Sequence, residues 1–245
     1  MTTTAKTAII TGASRGIGAE IARRLGRGGM NIIVNYASSE GPARAVVADI
    51  EASGGRAVAV QADIAATDGI RTLFDAAENH FGKADILINN GGVLLLSPLK
   101  DFDDATYERE VSINLGGTFR GIREAANRLN DGGRIINFST SVVGTKLPNY
   151  GVYAATKAAV ETLTHIAAKE LAPRGITVNA VAPGPVATDL FLEGKSEELL
   201  ARLTAMIPAG RFGEPADIAD VVAFLVSEES RYVSGQVLRV NGGMA

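Results

Sequence analysis

Tyr153 and Lys157 lie four residues apart in Tyr150-Gly-Val-Tyr-Ala-Ala-Thr-Lys-Ala-Ala-Val-Glu. On a helix that spacing stacks them one turn apart on a single face. A phenol titrates near pH ~10, too high for ready proton exchange at neutral pH. A fixed ammonium nearby favours the phenolate and lowers that value. The pair is therefore an acid/base device suited to a carbonyl or an alcohol. The same spacing also occurs by chance on exposed helices, so its meaning depends on what converges with it.

Two other features invite that convergence. Asn114, in Val111-Ser-Ile-Asn-Leu115, is an amide among apolar helical positions. Buried there, it must be hydrogen-bonded, in a site or as a bridge that bends the helix. The hydroxyl run Ser139-Thr140-Ser141 closes a strand-like stretch at 133–138.

Near the start, an apolar run at 7–11 leads into Gly12, Ser14, Arg15, Gly16, Ile17 and Gly18, then a helical pattern to about residue 27. Glycines between strand and helix let a ligand approach the backbone, and the helix N-terminus offers free N–H groups to phosphate. The spacing Gly-x3-Gly-x-Gly differs from the Gly-x-Gly-x-x-Gly of many dinucleotide sites. Placed after the first strand, it still points to a nucleotide rather than an ordinary turn.

A second strand at 31–35 ends in Asn35, Tyr36, Ala37 and Ser38. An acid at this position would bond the adenosine ribose and repel a 2′-phosphate. All four residues are neutral, and Arg15 can reach the same phosphate, so NADP(H) is expected over NAD(H), which remains possible. Asp63 and Ile64 follow a third strand at 56–61. Asp63 either meets adenine or caps the next helix.

The remaining pattern alternates strand-length and helix-length segments. Helices are read at 41–53, 67–81, 103–128, 150–171 and 215–226. Strands are read at 85–89, 133–138, 177–181 and 236–240. Such alternation specifies an α/β fold: a Rossmann-like, doubly wound parallel sheet of about seven strands with helices on both faces. Asn90, Gly91 and Gly92 form a turn beside the expected cofactor cleft. A mixed stretch at about 187–210 breaks the rhythm as a substrate lid would, within a single domain. Leu190, Phe191 and Leu192, with the loop 93–96, suggest an apolar pocket mouth.

Composition narrows the class. A net charge of -3 offers no basic footprint for nucleic acid or membrane. Cysteine is absent, which excludes disulfides and thiolate chemistry. His80 and His165 lack partners at ligand spacing, so no metal is expected. The segment 1–6 has no signal-peptide architecture and no apolar run suits a membrane span, so a cytoplasmic protein is expected.

Together these segments resemble the short-chain dehydrogenase/reductase family over nearly the whole chain. The closest likeness is to bacterial 3-oxoacyl-carrier-protein reductases and carbonyl reductases. The motifs are Thr11-Gly-Ala-Ser-Arg-Gly-Ile-Gly18, Asn89-Asn-Gly-Gly92, Asn114, the hydroxyls at 139–141, Tyr153-x3-Lys157 and Pro183-Gly184. The resemblance implies that Tyr153 donates a proton in reduction, Lys157 holds the nicotinamide ribose and lowers the phenol, and Asn114 anchors a relay water. It adds Pro183, Gly184, Val186 and Thr188 to the cofactor contacts. It also implies a homotetramer through the helices at 103–128 and 150–171. Two departures stand out. The family's Asn-Asn-Ala-Gly reads Asn-Asn-Gly-Gly here, which should loosen the turn. The substrate hydroxyl is assigned to Ser141 by its Ser-Val-Val-Gly pattern, although an ungapped count selects Thr140, thirteen before Tyr153, with Ser139 third.

Overall fold

The computed structural model describes residues 5–245, apart from the side chains of Asp189 and Leu190. The expectations for the first four residues and for Leu190 lie outside that description. The strands are β1 Thr7–Ile10, β2 Asn31–Tyr36, β3 Arg56–Gln61, β4 Ile86–Asn89, β5 Arg134–Phe138, β6 Thr177–Pro183 and β7 Val237–Val240. The helices are α1 Gly16–Arg27, α2 Glu40–Ala52, α3 Gly69–Phe81, α4 Asp104–Val111, α5 Thr118–Arg128, α6 Val142–Thr145, α7 Gly151–Leu171, α8 Asp189–Leu192, α9 Glu197–Ala205 and α10 Pro215–Leu225.

All seven strands pair in parallel in the order β3-β2-β1-β4-β5-β6-β7. Successive strand side chains point to opposite faces, and the apolar runs fill both. Ala8, Ile10, Ile32, Val34, Ile86 and Ile88 pack with α1, α2 and α10. Ile9, Ile33, Leu87, Ile135 and Val178 pack with α3, α5 and α7. Each continuous apolar run thus serves two cores.

Chain order runs outward from β1 to β3, then returns to β4 on the other side of β1. That reversal opens a crevice at the carboxyl ends of the central strands, where ligands bind in doubly wound sheets. The glycine loop after β1, the turn after β4 and the hydroxyl run after β5 all open at this edge.

The sequence pattern missed three local features. The expected helix over 103–128 is interrupted by a π-helical stretch, Ser112–Gly117, that joins α4 to α5. The stretch before α7 holds the short helix α6, and the lid stretch contains α8 and α9. Hydrophobic periodicity identifies helices but does not register one extra residue per turn.

Candidate active site

The glycine loop is built for close approach. Gly12 and Gly16 have φ of 62° and 57°, in the left-handed region where glycine carries no side-chain penalty. A Cβ on Gly18 would sit 2.4 Å from Gly12 O and 2.5 Å from Asn90 Nδ2. Arg15 is the exposed N-cap of α1, no side chain caps the helix, and its first turn carries no acid. The N–H groups of this helix start therefore remain available to an anion. The cradle fits the diphosphate of a dinucleotide.

The neighbouring turns are locked to it. Asn90 Nδ2 donates to Thr11 O at 2.9 Å and to Gly12 O at 3.1 Å, and the Gly91 N–H donates to Thr11 Oγ1 at 2.9 Å. Asn35 Oδ1 accepts from the Gly12 N–H at 3.0 Å, while its amide donates to Ala62 O at 2.9 Å. Asn35 is thus a buried brace of the loop, and Tyr36 is also buried. Ala37 and Ser38 are exposed at the strand end. Asp63 Oδ1 accepts from the Ala65 N–H at 2.9 Å in a local turn and does not cap α3, whose N-cap is Asp68.

At the far side of the crevice, Thr188 comes within 3.4 Å of the Cβ position of Gly16, so the start of the lid stretch borders the cradle. Pro183 O accepts from the Ser141 N–H at 2.9 Å, and the Gly184 N–H donates to Val240 O at 2.9 Å. A Cβ on Gly184 would lie 2.8 Å from Asn241 Cβ, so that glycine admits the C-terminal segment. Val186 is buried and bridges to Gly213.

Tyr153 and Lys157 stand on α7 as their spacing requires. Lys157 is 4% exposed, its Nζ donates to Phe138 O at 2.8 Å, and it lies 5.9 Å from the Tyr153 ring centroid. Burial pushes the Tyr153 phenol up to about 12, a rise held back by a hydrogen bond from Thr140 and reinforced by the charge of Glu110. Burial pushes Lys157 down to about 8, against the upward pull of Glu110. The expected depression of the phenol by the ammonium is not found. Lys157 is not among the groups that shift the phenol, and its Nζ is turned toward Phe138 O.

The hydroxyl run separates into three roles. Ser139 Oγ donates to Glu161 Oε1 at 2.6 Å. Ser141 Oγ donates to Ala182 O at 3.3 Å and accepts from Asn241 Nδ2 at 2.9 Å. Thr140 is the one of the three that lowers the Tyr153 phenol through a side-chain hydrogen bond. The Ser141 hydroxyl is instead engaged by β6 and the C-terminal segment.

Asn114 is fully buried in the π-helical stretch. Its Oδ1 accepts from the Val93 N–H and its Nδ2 donates to Val93 O, both at 2.8 Å. The side chain is thus engaged by the loop after β4, and the Asn114 carbonyl accepts from Thr118 Oγ1 at 2.9 Å. A Cβ on Gly92 would lie 3.0 Å from Asn114 Oδ1 and 3.6 Å from Lys157 Nζ, which places that turn against the catalytic cluster.

Glu110, Asn137, Glu161 and Asn241 support this cluster and were not singled out from sequence. Asn137 links Asn89 to Thr164 through bonds of 2.8 and 2.9 Å beneath the site. Glu110 lies one turn before Asn114, a spacing visible in the sequence, but it sits in the charged run Tyr107-Glu-Arg-Glu110, which resembles a solvated face. Among the described residues no group of three or more His, Cys, Asp or Glu could hold a metal, and no helix is long and apolar enough to cross a membrane.

A glycine cradle at a topological switch point, joined to a half-buried Tyr beside a buried Lys, defines a dinucleotide-dependent oxidoreductase. A family model described as enoyl-(acyl carrier protein) reductase matches residues 12–245. A short-chain type dehydrogenase/reductase of Picea abies is 44% identical over 248 residues, covering 97% of this chain and 92% of the relative. The 3-oxoacyl-(acyl-carrier-protein) reductase FabG of Staphylococcus aureus is 42% identical over 241 residues, covering 98% of each. Among solved structures, the angucycline C-6 ketoreductase LanV with bound NADP superposes with a TM-score of 0.92 at 35% identity, covering 98% of this chain and 95% of that one. A blue fluorescent protein from a metagenomic library, in complex with NADPH, gives 0.93 at 40% identity, with 98% of each chain covered. The chain belongs to the short-chain dehydrogenase/reductase family and is an oxidoreductase of NAD(P)-dependent carbonyl chemistry.

Proposed function

We propose that this enzyme reduces a ketone or 3-oxoacyl substrate to a secondary alcohol with NADPH, using Tyr153 as general acid. The observation that carries the reading is the placement of Tyr153 beside the buried Lys157 on α7, with Nζ 5.9 Å from the ring centroid, at the sheet edge that holds the glycine cradle. A phenol pushed up to about 12 stays protonated at neutral pH and is loaded as a donor.

As negative charge develops on the substrate oxygen, Tyr153 transfers its proton there and the phenol O–H bond breaks as the alcohol O–H forms. The Thr140 hydroxyl donates to the same oxygen and stabilises that charge before the proton arrives. The Lys157 ammonium then stabilises the phenolate left behind. Bound NADPH would supply the hydride to the carbonyl carbon. Its diphosphate would lie on the Gly12–Gly18 cradle, with Arg15 and Ser38 on the side of a 2′-phosphate.

Leu94 and Leu96, both exposed, and Leu192 of α8 give the site an apolar rim. They support an apolar acyl chain or bulky ketone beneath a lid formed by about 187–210 in a single domain. Exposed Tyr107, Phe119 and Ile166 on α4, α5 and α7 support pairing of these helices in a homotetramer.

The test follows NADPH or NADH absorbance with an acetoacetyl thioester, an aryl ketone and a crotonyl thioester. NADPH-dependent loss with either carbonyl compound is expected, with none from the crotonyl thioester. Turnover of the crotonyl thioester alone would move the assignment to carbon–carbon double-bond reduction.

A further inference from the structure

Glu110 is 0% exposed, one turn before Asn114 on α4, and the two side chains grip the same backbone. Glu110 Oε1 accepts from the Leu95 N–H at 3.0 Å, while Asn114 takes both backbone groups of Val93. The match is geometric. Side chains four residues apart on the helical run meet alternate residues of the loop, Val93 and Leu95. This clamp holds Val93 to Leu95, the stretch that follows the Gly92 turn beside Lys157.

A neutral acceptor would suffice for the Leu95 bond. Here the second carboxylate oxygen, Oε2, is buried with no hydrogen-bond partner. An ionised group placed so is costly unless a charge balances it. α4 packs against the π-helical stretch and α7. The π-helical stretch and the loop 92–96 carry no titratable group. The part of α7 nearest the site carries Tyr153 and Lys157, with Tyr150 at its start and Glu161 engaged by Ser139, while His165, Lys169 and Glu170 lie two or more turns beyond Lys157. The ammonium of Lys157 is the cation in that set.

Resting on the reductase reading, we propose that Glu110 is a positioning residue of the active site: it fixes the Val93–Leu95 loop with one oxygen and balances the Lys157 ammonium with its charge. Its influence on both partners has the sign this requires, favouring the ammonium at Lys157 and the protonated phenol at Tyr153. Burial pushes the Glu110 carboxyl up, and the Leu95 N–H and Lys157 hold that rise back. The charge therefore sustains the protonation state in which both groups act.

Glu110→Gln retains the acceptor for Leu95 and removes the charge. Glu110→Asp retains the charge and shortens the reach. The alkaline limb of the kcat/KM profile for ketone reduction is expected to move to lower pH by about half a unit or more in Glu110→Gln. It should stay in place in Glu110→Asp, whose KM for the ketone rises several-fold. A second readout needs no turnover: the Lys157 side-chain titration by NMR in cofactor-free protein, assigned by Lys157→Met, should fall in Glu110→Gln alone. A wild-type Lys157 titration in Glu110→Gln would overturn the charge role, as would a shifted one in Glu110→Asp, which stands by itself if the first variant fails to fold. If the wild-type enzyme reduces no ketone, the reductase reading fails, whereas the NMR titration still decides the role of Glu110.

Discussion

Ile64 and Gly91 share one small volume: a Cβ on Gly91 would lie 2.8 Å from Ile64 Cδ1. The same methyl sits 3.0 Å from the Cβ position of Gly117, so Ile64 wedges between the turn after β4 and the π-helical stretch. Glycine in place of the family's alanine therefore does not leave a loose turn. The backbone bond from Gly91 to Thr11 is present, and Ile64 fills the vacant space.

This packing predicts a coupled pair. Gly91→Ala should destabilise the wild-type protein by about 1 kcal/mol through overpacking. In the Ile64→Val background, which removes the Cδ1 methyl, the same change should cost markedly less. Denaturant unfolding of the four members of the cycle measures the coupling. Equal costs in both backgrounds would show that the two residues do not compete.

The division of labour in the hydroxyl run predicts opposite phenotypes for adjacent residues. Thr140→Ala should lower kcat/KM by ~10²-fold or more, as loss of one oxyanion donor does, and Thr140→Ser should restore much of it. Ser141→Ala should affect the rate far less and lower stability by about 1 kcal/mol, because Asn241 and Ala182 lose their partner. Steady-state kinetics beside thermal unfolding separates the two. The reverse ranking would return the substrate hydroxyl to Ser141.

Lys157 predicts the pH behaviour of both rate and stability. With its ammonium needed and its folded value near 8, ketone reduction should fall above about pH 8, while Tyr153 stays protonated. For stability, folding lowers the Lys157 value from 10.5 to about 8, so between those limits the unfolded chain binds the extra proton. Stability contributed by this group therefore rises with pH across that window and is lowest below it. Lys157→Met should abolish most activity, and its Tm relative to wild type should be highest below pH 8 and decline toward pH 10. A pH-independent Tm difference would contradict the burial of a charged lysine.

Cofactor choice turns on the exposed end of β2. Ala37→Asp should place a carboxylate where a 2′-phosphate would lie and shift the kcat/KM ratio from NADPH toward NADH. Arg15→Ala should raise KM for NADPH about tenfold, the loss of one charged hydrogen bond, with little change for NADH. Failure of both variants to discriminate the two cofactors would remove the physical basis for NADP(H).

Sequence by itself determined the alternation of strands and helices, the glycine cradle and the Tyr153–Lys157 face, because each depends on local spacing. Strand runs such as Ile9-Ile10 and Ile32-Ile33-Val34 are apolar on both faces, which only a doubly covered sheet can use. The side-chain environments belonged to the tertiary structure. Whether Thr140 or Ser141 meets the phenol depends on where β6 and the C-terminal Asn241 arrive, and Asn241 lies a hundred positions from Ser141. Asn35 became a brace rather than an exposed ribose contact because Gly12 and Ala62 close around it. The π-helical stretch and the burial of Glu110 were likewise hidden: a charged helical residue declares its role only once α7 and the 93–96 loop have closed over it. Burial also set the proton affinities of Tyr153 and Lys157, since desolvation is a property of the assembled fold and has no counterpart in residue spacing.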